Sequence, residues 1–191
     1  MFKDLVKKNR SYRRFYGDMK VTKEQLKDLI ELVRLTPSAA NLQPLKYILI
    51  SEEEMNKKVY ETLKWAGYLK DWNGPIESER PTGYIVMLRD KNISQKQSVD
   101  EGISAQTICL GATEIGLGCC IIGSINRSKL SEILNIADNF DIVLVIALGY
   151  PKENVIIKDL AEDRNIKYYR DEEGNHYVPK RSINELIVEE I

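Results

Sequence analysis

The chain has 191 residues, of which 43% are hydrophobic and 30% charged. That length suits one domain with a real core. A net charge of -1 excludes a general nucleic-acid binder, which carries a marked basic excess, and no apolar run is long enough to span a membrane.

Phe2, Leu5 and Val6 fall on one face of a short opening helix. It leads into Asn9-Arg10-Ser11-Tyr12-Arg13-Arg14-Phe15, which packs three guanidinium groups and a hydroxyl into a few residues. Planar, permanently charged forks beside a small neutral donor suit phosphate oxygens. A solvated basic turn is the plain alternative. Thr22 and Gln25 then form a capping box, opening a helix that carries Leu26, Leu29, Ile30 and Val33. Pro37 ends that helix by disfavouring helical geometry at Thr36. In Pro37-Ser38-Ala39-Ala40-Asn41-Leu42-Gln43-Pro44, two prolines bracket small and amide side chains. Such a stretch lets a flat ligand approach the backbone, and it equally suits an ordinary helix-to-strand connection. A strand at 45–50 follows. Ser51 and Glu54 predict a second capping box, before Met55, Val59 and Leu63 at helical spacing. Residues 67–82 hold Gly67, Trp72, Gly74, Pro75 and Pro81 and read as an irregular functional loop, a candidate lid. Tyr68 and Trp72 either cover a planar substrate or anchor that loop. Residues 84–88 read as a strand.

Residues 99–115 predict the longest helix, apolar nearly all round and therefore buried in the core or a subunit interface. Gly116-Leu117-Gly118 ends it, and 119–122 is a short strand before Gly123-Ser124. A helix precedes these glycines, so they are no dinucleotide fingerprint, which needs a strand there. Cys119 and Cys120 are adjacent and point to opposite faces of a strand. With Cys109 they make an odd number without a CxxC pair, which fits small buried hydrophobes in a reducing compartment. Asn126 or Ser128 caps a helix bearing Leu130, Ile133 and Leu134. The continuous apolar run 142–148 reads as a central strand buried on both faces. From about residue 155 the chain is polar and turn-rich, with a turn at 171–175. His176, the only histidine, is expected on the surface there. A short helix starts at Ile183, after Lys180-Arg181. The alternation of strands and helices gives an α+β fold around one central sheet.

Four stretches, in order, resemble the nitroreductase family of FMN-dependent enzymes over nearly the whole chain. They are Asn9 to Arg13, Pro37 to Pro44, Gly116-Leu117-Gly118 with Ile122-Gly123-Ser124, and Lys180-Arg181. The resemblance implies a central mixed sheet flanked by helices, in one domain spanning 1–191. It implies that the extension from about 155 packs on the partner subunit of an obligate homodimer, with FMN held at the interface. Arg10, Ser11 and Arg13 match the positions that hold the ribityl phosphate, joined by Lys180 or Arg181. Ser38, Ala39 and Asn41 match the stretch along the flavin from the partner. Ile122 and Gly123 match the backbone near the isoalloxazine ring. Asn9 stands where the family usually has a cation, and Leu45 where it commonly has tryptophan.

The implied activity is ping-pong electron transfer from NADH or NADPH to a nitroaromatic, quinone or other conjugated acceptor. No protein nucleophile, metal cluster or acid–base pair stands out in the sequence, and a flavin would supply the chemistry. The alternatives are a carrier or sensor that holds FMN or another phosphorylated ligand without turnover, or a flavin-fragmenting or dehalogenating member. The expected setting is cytoplasmic, since Met1-Phe2-Lys3-Asp4 opens no long apolar signal core. The expected partners are a second copy and small molecules, with neither nucleic acid nor membrane.

Overall fold

The computed structural model describes all residues, Met1–Ile191. Four strands form the main sheet in the order β1-β2-β4-β3: β1 Leu45–Ile50, β2 Gly83–Asp90, β3 Gly118–Ile122 and β4 Phe140–Gly149. Every pairing among them is antiparallel. The parallel component of the fold comes from a bridge between Ser11 and Cys119 at the free edge of β3, and from a second, small sheet. That sheet has the order β5-β7-β6: β5 Val155–Asp159, β6 Tyr169–Arg170 and β7 His176–Lys180, with β5 and β7 parallel. The C-terminal stretch is thus more regular than its polar composition predicts. Its strands are so short that charges between them hide the alternation.

Helices cover both faces of the main sheet, as the unbroken apolar run in β4 requires. On one face, α2 (Lys23–Arg34) and α4 (Asp100–Glu114) enclose Ile85, Met87, Ile146, Leu148 and Cys119. On the other, α3 (Glu53–Tyr60) and α5 (Arg127–Leu134) enclose Val86, Leu88, Val145, Ala147 and Cys120. Cys119 and Cys120 therefore separate into the two cores, as strand alternation demands. At the step between Met87 and Leu88, β4 carries one extra residue, Val143, so that Ile142 pairs with Leu88 and joins the same core as Val145.

Local signals set several helix ends. Thr22 and Gln25 make the reciprocal capping box, and the Asn126 side chain accepts from the Lys129 N–H. The second predicted box does not form: α3 begins at Glu53 behind an extended Glu52, because the chain runs on past the end of β1 before it turns. α4 buries Ala105, Ile108, Cys109 and Ala112, yet leaves Val99 and Ile115 near its ends in solvent. No helix is long and apolar enough to cross a membrane.

The opening segment, α1 (Phe2–Lys8) and the arginine stretch after it, lies across the end of the sheet. Gly118 and Gly149 face each other across β3 and β4. Tyr12 lies over the first and Phe15 over the second, so closely that an added Cβ would stand 2.7 Å from Tyr12 Cδ2 or 2.8 Å from Phe15 Cδ1. The glycines leave bays that two aromatic rings fill. Gly149→Ala should therefore overpack a fully buried Phe15 and lower stability by about 1–3 kcal/mol, read as a lower urea midpoint. An unchanged midpoint would show that the bay is not tight.

Candidate functional site

Seating Tyr12 and Phe15 on the sheet sends the intervening arginines in different directions. Arg14 turns toward the 77–80 segment. Its Nε and Nη2 donate to both oxygens of Glu79, at 2.6 and 2.7 Å. Glu79 is buried and also meets Lys152 Nζ at 3.0 Å. The hydrogen bonds from Arg14, then those from Lys152, push its carboxyl down to about 2 against the opposing effect of burial. Arg14 is thus a structural cation.

Arg10 and Arg13 stay beside a cavity of about 350 Å³. Arg10, Ser11, Arg13 and Lys180 line it together with Cys119 and Ile121, and no carboxylate does. Arg10 Nη2 donates to the Val6 carbonyl at 2.8 Å, and its Nε has no protein partner. Arg13 Nη1 donates to the Ser11 carbonyl at 3.2 Å, and its guanidinium lies over the Tyr168 ring, 4.5 Å from the centroid. Three cations without a paired carboxylate, next to a hydroxyl, suit a dianionic phosphate ester. Asn9 sits at the wall, nearly buried, where its Oδ1 faces the Cys119 thiol at 3.8 Å.

Beneath the stretch lies Glu153, whose side chain is fully buried. Its Oε1 accepts the backbone N–H groups of Arg13 and Arg14, and its Oε2 accepts from Arg170 Nη2 at 2.9 Å. This carboxylate fixes the course of the backbone that presents Arg13. His176 is completely buried, not on the surface as its polar surroundings predict, because β7 runs between β5 and β6 under Arg13. Burial first, then the charges of Arg13 and Arg170, push its pKa down to about 4.

Of the other expected residues, Lys180 lines the cavity, whereas Arg181 lies outside it and meets Glu185 at 3.3 Å. Ile122 is buried in the core and Gly123 is in the turn after β3, so the β3 residues that line the cavity are Cys119 and Ile121. Ser38, Ala39 and Asn41 lie elsewhere in the same chain, beside another cavity of about 430 Å³ lined by Ser38, Gln43, Tyr47 and Asp100. α4 separates the two: Ser104 lines one and Gln106 the other. Asp100 holds this loop. It accepts from Ser38 Oγ at 2.5 Å and from the Ala39 N–H at 3.0 Å. Burial opposes ionisation of Asp100, but these bonds and one from Ser98 outweigh it and keep the carboxyl below its usual range. Ala40, Asn41 and Gln43 all have positive φ, between 49° and 54°, a cluster of non-glycine strain that the clamp sustains.

The 67–82 segment is pinned at several points. Trp72 packs on the core and carries Arg170 over its ring at 4.2 Å, Tyr60 donates to the Pro75 carbonyl, and Glu79 is buried. Trp72 is an anchor. Tyr68 is exposed beside Tyr168. Sequence reasoning missed Glu153, Tyr168 and His176. The one available signal was aromatic density, Tyr168, Tyr169, His176 and Tyr177, in a stretch that otherwise reads as solvated.

Comparison with known proteins gives the class. The family model described as the nitroreductase family matches residues 6–73 and 79–150, and the chain belongs to that family of oxidoreductases. A Bacillus subtilis protein named as the NAD(P)H nitroreductase MhqN is 26% identical over 88% of this chain and 94% of its own length. A nitroreductase family protein from Streptococcus pneumoniae has the same fold over the whole of both chains, with a TM-score of 0.71 at 21% identity. An FMN-dependent nitroreductase from Clostridium difficile matches over 78% of this chain and 87% of its own, with a TM-score of 0.64 at 24% identity.

The buried histidine makes stability depend on pH. An unfolded histidine titrates near 6.5, so between about 4 and 6.5 the unfolded chain binds more protons than the folded one. The contribution of neutral His176 is complete above 6.5 and is lost as pH falls through 4. The urea midpoint of wild type should fall across that window, and His176→Phe should show a shallower fall. Parallel profiles would remove His176 as a source of acid sensitivity.

Proposed function

We propose that this protein is a homodimeric, FMN-dependent oxidoreductase that passes electrons from NADH or NADPH to a nitroaromatic, quinone or other conjugated acceptor. The observation that carries the reading is the convergence of Arg10, Ser11, Arg13 and Lys180 on one cavity without a carboxylate. This donor set fits the phosphate of FMN. When bound, the flavin would supply the two-electron exchange between nicotinamide and acceptor, in ping-pong order. The names of the B. subtilis and C. difficile relatives support the nicotinamide donor and the flavin.

The chain's own residues bind and orient. Arg10 and Arg13 hold the phosphate by charge-assisted hydrogen bonds, with Ser11 and Lys180 completing the set. The backbone at Ile122 and Gly123 borders the ring. Ser38, Ala39 and Asn41 reach the ring from the other subunit, which accounts for their separation from the arginines within one chain. Val99 and Ile115, which flank α4, with Ile183, Leu186 and Val188 near the C-terminus, leave apolar surface exposed that a second copy would cover. The extension from about residue 155, expected to pack on the partner, does so in this reading only beyond β7, because β6 and β7 meet Trp72 and Arg13 of their own chain. The unpaired cysteines fit a cytoplasmic setting.

One preparation tests both cofactor and assembly. Purified protein should be yellow, bleach anaerobically with NADH or NADPH, and scatter light at twice the chain mass. A monomer, or a colourless protein that FMN cannot reconstitute, would overturn the proposal. The phosphate assignment has its own test, a pair of equilibrium titrations. Arg10→Ala and Arg13→Ala should each weaken FMN binding about ten- to a hundredfold, the scale of a lost charge-assisted hydrogen bond. Riboflavin, which lacks the phosphate, should bind weakly and alike to all three proteins. Equal losses for both ligands would move the arginines from the phosphate to the ring pocket.

A further inference from the structure

The partners of the Arg13 guanidinium share one property: none is anionic. Its guanidinium is held by the face of Tyr168, by the carbonyl of Ser11 and by His176, whose Nε2 lies 3.1 Å from Arg13 Nη1. Arg14, the next residue, is neutralised by Glu79, and Glu153 below takes Arg170 and the Arg13 backbone N–H but not the Arg13 guanidinium. Arginine keeps its proton at any working pH, so Nε2 must be the acceptor, and the neutral ring carries its proton on Nδ1. That Nδ1 is buried without a partner. A buried donor left unmatched is destabilising and calls for an explanation. The ring is oriented to serve Arg13 at the expense of its own second hydrogen bond.

From this geometry we infer that His176 is a positioning residue of the phosphate site, holding the Arg13 guanidinium toward the cavity with a neutral acceptor. The inference rests on the phosphate reading above and adds to it a residue from β7. The chemistry explains why an imidazole suits the place. A carboxylate there would orient Arg13 equally well, but it would neutralise the charge and compete with the ligand phosphate. The imidazole nitrogen fixes direction and leaves the full positive charge available. Tyr168 acts in the same sense, because its ring orients a cation without pairing it and in turn packs on His176, with centroids 5.2 Å apart.

The test uses full-length protein and two ligands, FMN and riboflavin, titrated by quenching of flavin fluorescence. His176→Phe keeps a flat ring and removes the acceptor. His176→Gln restores an acceptor oxygen at about the reach of Nε2. His176→Phe should weaken FMN roughly tenfold and leave riboflavin unchanged, and His176→Gln should stay within about threefold of wild type on the same scale. In the background of Arg13→Ala, adding His176→Phe should cost little more, since the group it positions is gone. Urea unfolding of each variant shows whether the fold is retained, and a poorly folded Phe variant leaves the Gln variant and the FMN-to-riboflavin ratio to decide. Three outcomes would overturn the inference: a Phe variant that binds FMN like wild type, equal losses in the Phe and Gln variants, or a Phe loss fully additive with Arg13→Ala. These are distinct from failure of the underlying reading, in which wild type itself binds no FMN.

Discussion

Everything at the candidate site depends on how residues 9–15 are fastened to the end of the sheet. Two aromatic rings fill bays left by the cross-strand glycines Gly118 and Gly149, and one buried carboxylate, Glu153, accepts the backbone N–H groups of Arg13 and Arg14. Apolar packing supplies the depth of the seat, and the carboxylate fixes its direction. With both in place, successive arginines cannot do the same job. Arg14 is turned into the protein and neutralised by Glu79, whereas Arg13 is turned outward and left charged. A short run of identical cations is thereby divided into one that holds the fold and others that are free for a ligand.

The same economy recurs at the loop 38–43. There a buried carboxylate at the start of α4, Asp100, binds Ser38 and the Ala39 N–H, and sustains three non-glycine residues in left-handed geometry. Both segments are irregular backbone held by a single buried acid on a regular element or just beyond one. Irregular backbone is where binding groups gather, provided that a rigid scaffold fixes it.

What was legible in the sequence followed from local periodicity. The unbroken run in β4, the long apolar α4, the Thr22 box and the opposed cysteines each depend on neighbours a few positions away. The arginine stretch and the Pro37–Pro44 stretch could be singled out by composition. What escaped were partners far apart in the chain. Glu79 lies 65 positions from Arg14, and His176 lies 163 from Arg13. No spacing rule reaches that far, and a histidine amid Asp171, Glu172, Glu173 and Asn175 reads as solvated until β7 is seen to pass beneath the arginines. The predicted box at Ser51 failed because the chain stays extended through Glu52, so α3 begins one residue later than local preference would have chosen.

The meeting of residues 10–13 with 176–180 has a consequence for how the protein is made. The cavity is closed by two segments that the ribosome makes 163 residues apart. At a synthesis rate of about 5–20 residues per second, the arginines wait roughly ten to thirty seconds before His176 and Lys180 exist. During that interval the sheet can form from β1 to β4, but the pocket has no far wall. The cavity is therefore complete only once Lys180 has been made, and a truncation that removes β7 would leave the arginines without that wall.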